Sequence, residues 1–346
     1  MVSFTTSWAW WKTAQKTRFS LVINISILFI AIYFPSQVHG QEKHYEFEKG
    51  LMGSPFRIVV YSSSDSLAQR VAQNAFSRIE TLNEILSDYR DGSEINRLSA
   101  QSGTGKWIRV SDDLYKVLSV SKKISRKTRG TFDITVGPVV QLWRRAMRRN
   151  VFPTQSEIEK ARRAVGYRFV KLRPRNKSVR LVRPAMRLDV GGIGKGYAAD
   201  EAVRVVQELG IKAVLIDAGG DLTLAGVPPG RQGWEVEINS GTSADSTALV
   251  LLTDAGVATS GDNYRYLEHD GERYSHIVDP KTGIGLRYHV RTTVIAPTGT
   301  YADALATAIS VAGSKRSKRI VRRFSGVQVW LLETKENKTT SWKTLK

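Results

Sequence analysis

The sequence predicts an α+β fold in which mixed, largely antiparallel sheets pack against helices. Two observations carry this. Segments with strand alternation and segments with helical spacing follow one another without a fixed repeat length. From Trp234 onward, short strand candidates are joined by tight polar turns such as Asp262-Asn263 and Asp270-Gly271, which favours hairpins over the long crossovers of a doubly wound parallel sheet.

In chain order, residues 1–18 contain Lys12, Lys16 and Arg18 and no acid, and they precede the 16-residue apolar run 19–34, FSLVINISILFIAIYF. Pro35 breaks the run, and Val38-His39-Gly40 offers small residues that match a cleavage site imperfectly. This is the pattern of an export leader over residues 1–40. A spanning helix wants about 20 apolar residues, so a removed signal peptide is favoured over a retained anchor. On either reading residues 41–346 are exported, and the basic flank keeps the start cytoplasmic. The expected location is the periplasm, free or tethered to the inner membrane by residues 19–34.

Within residues 41–346, Leu67, Val71, Ala75, Ile79, Leu82 and Leu86 recur at helical spacing. Ser111 with Asp112 and Asp113 opens a second helix, and Ser156 with Glu159 reads as the capping box of a third. Strands are expected at 57–61, 169–172, 186–189, 213–217, 234–238, 248–252, 273–278, 291–295 and 327–332.

Composition narrows the chemistry. The 346 residues include no Cys, which excludes disulfides, thiolate metal sites, a thiol nucleophile and a lipid-modified N-terminal Cys. The formal net charge is +20, and fifteen Lys/Arg against only Glu157 and Glu159 fall in the segment 144–187. Few aromatics interleave with these cations, so a nucleic-acid surface is not expected; a solvated face or one turned to an anionic membrane is.

Four segments carry candidate chemistry. Leu188-Asp189-Val190-Gly191-Gly192-Ile193-Gly194-Lys195-Gly196-Tyr197-Ala198-Ala199-Asp200 is a strand-like stretch, a Gly-rich turn and a helix that Gly210 can end. Such a turn can present N–H groups to phosphate, or can be a tight turn with no ligand; it lacks the Ser or Thr that follows Lys in a P-loop. Ile216-Asp217-Ala218-Gly219-Gly220-Asp221 reads as a strand end followed by a bulge or turn. In Tyr274-Ser275-His276-Ile277-Val278-Asp279, alternation points His276 and Val278 to one face and Ile277 and Asp279 to the other, with His276 either a base or a structural histidine. In Gly299-Thr300-Tyr301-Ala302-Asp303-Ala304-Leu305-Ala306-Thr307, Asp303 and Thr307 share a helix face. They either supply oxygens to Mg²⁺ or cap and pack.

Together and in this order, these segments resemble the ApbE family, the FAD:protein FMN transferases. The resemblance extends to Met52-Gly53-Ser54, Ser87-Asp88-Tyr89, Ser93-Glu94-Ile95 and Gly130-Thr131-Phe132-Asp133-Ile134-Thr135-Val136-Gly137-Pro138, and covers about residues 45–332. It implies a T-fold-like domain and an exported enzyme that uses FAD and Mg²⁺, transfers FMN to a Thr or Ser hydroxyl of an acceptor protein, and releases AMP. The acceptor it implies is a redox-complex subunit of the Nqr, Rnf or Nos type. It places Met52, Tyr89, Thr131, Phe132, Asp133, Asp189, Lys195 and Ile277 around FAD. Gly192, Asp303 and Thr307 would hold magnesium. His276 would deprotonate the acceptor, with Asp303 and Asp279 able to share or direct that task. Ala306 stands where some members carry a second acid. A magnesium-dependent FAD pyrophosphatase and a non-catalytic flavin-binding protein are the alternatives.

Overall fold

The structure is a computed structural model describing residues 42–239, 247–261, 265–335 and 338–344. The leader expected at 1–40 and the turn expected at Asp262-Asn263 lie outside the described residues. No helix among the described residues is long and apolar enough to cross a membrane.

The described residues open with β1 (Lys43–Leu51) and β2 (Ser54–Ser62), then α1 (Asp65–Leu86), α2 (Glu94–Ala100), β3 (Ile108–Arg109), α3 (Asp112–Lys127), α4 (Gly137–Arg149) and α5 (Gln155–Arg163). Next come β4 (Val170–Arg173), β5 (Ser178–Leu181), α6 (Gly194–Glu208), β6 (Val214–Ala218), β7 (Leu222–Ala225), β8 (Trp234–Asn239), β9 (Thr247–Leu252) and β10 (Ala255–Gly261). The short β11 (Tyr266–His269), β12 (Glu272–Ser275), β13 (Val278–Asp279) and β14 (Ile284–Gly285) lead to β15 (His289–Ala296), α7 (Gly299–Val321), β16 (Gln328–Lys335) and β17 (Lys338–Lys343).

One eight-stranded sheet, ordered β1-β2-β6-β7-β10-β15-β16-β17, is antiparallel throughout, as the α+β expectation requires. Its central strands are apolar on both sides. Phe56, Ile58 and Val60 of β2 join the main core with α1, α6 and α7, while Val59 faces a second core capped by the β8–β9 hairpin through Trp234, Val236 and Ile238. A third cluster, Val139, Trp143 and Ala146 of α4 with Leu267, Tyr274 and Val278, pins the β11–β14 region to α4, and Trp143 Nε1 donates to the Gly283 carbonyl at 2.9 Å.

Tight turns set the register. Met52-Gly53, Gly219-Gly220 and Asp270-Gly271 each join paired strands with both residues at positive φ, the geometry that matches the right-handed twist of a two-residue hairpin. Asp270-Gly271 is the turn read from the sequence, and the segment 216–221, read as a bulge or a turn, is a turn at Gly219-Gly220.

Four expectations need correction. The box of α5 is built by Thr154 and Glu157, not Ser156 and Glu159: the N-cap lies two residues earlier. Residues 186–189 are not a strand but an extended segment with a single parallel bridge, Val136 to Arg187. Residues 167–169 form a 3₁₀ turn, so the expected strand starts at Val170. The strand at 273–278 is broken: β12 ends at Ser275 and β13 starts at Val278, because Ser275 Oγ accepts from the Ile277 N–H at 3.0 Å and bends the chain. Alternation therefore fails there, and Ile277 and Val278 are both buried.

Candidate active site

The site is organised where the starts of α6 and α7 meet. Helix α6 begins at Gly194 without a side-chain cap, so its first N–H groups look for outside partners. One of them, on Gly196, donates to Asp303 Oδ2 of α7 at 3.1 Å. The contact needs glycine: a Cβ on Gly196 would lie 2.2 Å from the Gly299 carbonyl oxygen. Helix α7 is itself capped by Thr298, whose side chain accepts from the Tyr301 N–H at 3.3 Å. Asp200 of α6 braces the same turn, accepting from the N–H groups of Gly299 and Thr300 at 2.7 and 3.0 Å. Asp303 is thus not the cap of its helix.

The turn before α6 is shaped by Asp189, whose Oδ1 accepts from the Gly191 N–H at 2.9 Å. It brings Gly192 against α7 so closely that a Cβ there would sit 2.7 Å from Thr307 Oγ1. Gly192, Asp303 and Thr307 are therefore neighbours in space, and Ala306 beside them borders the same cavity without offering an oxygen. This donor set is all oxygen, and no cluster of three His, Cys, Asp or Glu residues suited to a metal exists among the described residues. A backbone carbonyl, one carboxylate and a hydroxyl fit a hard divalent cation such as Mg²⁺, which leaves most of its octahedron to water and phosphate.

Electrostatics agree with that fit. Burial, reinforced by the Asp221 carboxylate, pushes Asp303 up to about 7 despite Lys195 and the Gly196 N–H. An ionised Asp303 thus lacks enough positive charge, which a bound cation would supply. Lys195 Nζ is 2.5 Å from Asp221 Oδ2 and 3.3 Å from the Ala218 carbonyl. Burial works against its ammonium, but Asp221 and Asp303 more than offset this and hold it protonated.

A second wall is built on Arg144 of α4. Its guanidinium bridges Asp88 Oδ2 at 2.5 Å and Asp189 Oδ2 at 3.0 Å, and lies 4.3 Å from the centre of the Tyr89 ring. Tyr89 is 69% exposed, so its ring is open to a flat partner. Burial and then Asp88 push Asp189 upward against Arg144. Asp133 is turned inward: its carboxylate accepts from Thr135 N–H and Oγ1 and from the Tyr167 N–H, at 2.9, 2.7 and 2.8 Å. Its side chain orders the loop rather than reaching outward.

His276 stands at the bend between β12 and β13. Its N–H donates to the Arg265 carbonyl at 2.9 Å and its Nδ1 lies 3.1 Å from the same oxygen. A carbonyl only accepts, so Nδ1 carries the hydrogen and Nε2 of the neutral ring is the basic nitrogen. Asp279 does not share this position: its carboxylate accepts from the Lys281 N–H at 2.8 Å within the following turn, and it does not border the cavity.

Met52, Tyr89, Thr131, Phe132, Asp133, Asp189, Gly192, Lys195, His276, Ile277, Asp303 and Thr307 all border one cavity of about 850 Å³, near the upper end of small-molecule sites and roomy enough for a dinucleotide. Sequence reasoning missed Asp88, Arg144 and Asp221 as wall residues. Asp221 was visible only as the acid closing a glycine turn. Arg144 was hidden in the basic segment, and its partners are 56 and 45 residues away.

The model of the ApbE family matches residues 52–331. The FAD:protein FMN transferase of Salmonella typhimurium is 30% identical over 84% of this chain and 85% of its own length, and that of Treponema pallidum 32% identical over 82% and 83%. The apo flavinyl transferase ApbE of Pseudomonas stutzeri superposes with a TM-score of 0.78 at 26% identity, covering 88% of this chain and 95% of that one. The flavin transferase ApbE of Vibrio cholerae superposes equally well, with 88% and 97% covered. The chain belongs to the ApbE family.

Proposed function

We propose that the cavity binds FAD as substrate and that Gly192, Asp303 and Thr307 hold Mg²⁺ beside its diphosphate. The chain is a flavin transferase, an enzyme that moves FMN from FAD to an acceptor protein. The observation that carries the site assignment is the convergence of the Gly192 turn, Asp303, Thr307 and Lys195 at one end of a cavity that also contains His276.

The reaction joins a weak nucleophile to a shielded electrophile. A Thr or Ser hydroxyl of the acceptor attacks the FMN phosphorus, an ester bond forms, the bond to the AMP oxygen breaks and AMP leaves. A divalent cation, when bound, neutralises the phosphate oxygens and the charge that develops on the leaving group. Lys195 adds a fixed positive charge at that end of the cavity, oriented by Asp221. His276 takes the hydroxyl proton on Nε2, with Nδ1 anchored on the Arg265 carbonyl so that the ring presents one tautomer. Tyr89, backed by Arg144, offers a stacking face to a flat ring, and Met52 is held at positive φ over the start of α6. Asp133 and Asp189 act by shaping the loops that surround FAD.

The acceptor reading is a redox-complex subunit of the Nqr, Rnf or Nos type. Export through the leader 1–40, with residues 41–346 periplasmic, and attraction of the basic segment to an anionic membrane complete the proposal. The test is to incubate the protein with FAD, Mg²⁺ and an acceptor domain and weigh the acceptor. A mass gain of one FMN group, dependent on Mg²⁺, is expected. FMN and AMP appearing without that gain would replace transfer by hydrolysis. Bound FAD with neither product would leave a flavin-binding protein.

A further inference from the structure

Beyond the flavin cavity lies a smaller one of about 240 Å³ that the reaction does not use. Lys315, Arg316 and Arg319 come from the part of α7 that follows the non-helical Gly313, and Arg323 lies just past the end of that helix. Arg129 faces them from the loop after α3, and Lys281 from the turn after β13. Among the described residues no carboxylate lines the cavity. Among the described residues none of these six cations is in an ion pair.

What partners they do have fix direction without cancelling charge. Arg316 donates from Nε and Nη2 to the carbonyls of Ala312 and Val311 at 3.1 and 3.0 Å, and Arg323 from Nη1 to the Lys127 carbonyl at 2.6 Å. Arg129 occupies the left-handed position after α3, φ +57°, where glycine is the usual choice. Its N–H and that of Gly130 close the helix on the carbonyls of Arg126 and Ser125 at 3.3 and 2.8 Å. A cation therefore stands at a position whose backbone would be relieved by losing its side chain.

Six like charges converging on a concave surface repel one another and focus a positive field, so the occupant that resolves them is an anion. Guanidinium forks match the oxygens of phosphate in pairs, and ammonium groups add point charge. The volume lies just below the range of about 300–1,000 Å³ typical of small-molecule sites. It admits a mono- or diphosphate group and not a second dinucleotide. We propose that this cavity is a phosphate-binding site, formed by Arg129, Lys281, Lys315 and Arg319 together with Arg316 and Arg323, whose guanidinium groups are held by backbone carbonyls. It is separate from the flavin cavity, which it meets at Thr131 and at the Pro280–Lys281 peptide. It does not depend on the flavin-transfer reading. A free phosphate compound and the headgroup of an anionic lipid present the same chemistry.

The probe is inorganic pyrophosphate, titrated calorimetrically into the full chain with EDTA present so that no divalent ion recruits it to Asp303. Saturable one-to-one binding is expected, weakened at least about tenfold in the double variant Lys315→Ala/Arg319→Ala, as loss of two charge-assisted contacts implies. Both side chains are exposed, and FAD affinity, measured on the same samples, should be unchanged. Lys195→Ala should leave pyrophosphate binding intact. Sedimentation with phosphatidylglycerol vesicles separates the sources: binding lost in the double variant identifies a lipid headgroup, and vesicle binding that ignores the substitutions identifies a soluble phosphate. Absence of saturable pyrophosphate binding would overturn the proposal. So would affinity unaltered in the double variant, or affinity lost in Lys195→Ala, which would place the anion in the flavin cavity.

Discussion

Replacing Asp303 by Asn should make the metal-free protein more stable at alkaline pH while removing its response to Mg²⁺. The buried carboxyl is pushed from the usual 3.8 up to about 7, so the native state holds a proton that the unfolded chain has already lost over the intervening range. A group raised in this direction makes stability fall as pH rises between those two values. At about 1.36 kcal/mol per pH unit, the full penalty on the ionised native state is on the order of 4 kcal/mol. Asn carries no charge at any pH, and its side-chain oxygen can keep the 3.1 Å bond from the Gly196 N–H. Lys195 retains Asp221 as its partner. The variant should therefore gain on the wild type by roughly 3 kcal/mol between pH 5 and pH 7, about 6 °C in Tm for a domain of this size. The assay is thermal unfolding in EDTA across that range, repeated with excess Mg²⁺. Magnesium should raise the wild-type Tm most above pH 7 and leave the variant unmoved. A variant that tracks the wild type at all pH values in EDTA would refute the buried-charge argument, and one that still responds to Mg²⁺ would refute the metal assignment.

Substitutions at three other positions probe separate parts of the site. Gly196→Ala places a Cβ 2.2 Å from the Gly299 carbonyl, so α6 and α7 must separate; a loss of about 1–3 kcal/mol in urea unfolding is expected, although alanine favours a helix interior. His276→Gln should leave FAD affinity unchanged while slowing transfer about 10²–10⁴-fold and removing the corresponding limb of the pH–rate profile; an unaltered rate would make His276 a structural residue. Arg144→Ala leaves Asp88 and Asp189 facing each other without a cation, and should cost about 2–4 kcal/mol of stability together with FAD affinity; Arg144→Lys should not rescue it, because an ammonium cannot bridge both carboxylates and stack on Tyr89.

What could be read from the sequence was whatever rests on local pattern. Asp270-Gly271 announces its hairpin, Asp303 and Thr307 are four apart, and the glycines before α6 announce a tight turn. Contacts between distant segments were not legible. Arg144 reaches Asp88 and Asp189 only once α4 is packed by Trp143 against the β11–β14 region. Met186 and Leu188 looked like alternating strand positions because they are buried, yet Leu188 N–H is spent on Ser99 Oγ at 3.1 Å rather than on a neighbouring strand. His276 was placed on a continuous strand because the Ser275 side chain that bends it leaves no mark on hydrophobic alternation. The misplaced α5 cap has a similar cause: Thr154-Gln155-Ser156-Glu157 and Ser156-Glu157-Ile158-Glu159 offer overlapping capping patterns, and the Thr154–Glu157 pair wins.

The proposed site places the diphosphate of FAD over the Gly192 turn and the first turns of α7, beside a divalent ion. Crystals grown with FAD and Mn²⁺, with anomalous data collected for manganese, test it most directly. One anomalous peak is expected within coordination distance of the Gly192 carbonyl, Asp303 and Thr307 Oγ1, touching FAD phosphate density, with the acceptor-facing side of the phosphorus open toward His276. FAD density whose phosphates lie elsewhere in the cavity, or a manganese peak that avoids Asp303, would contradict it.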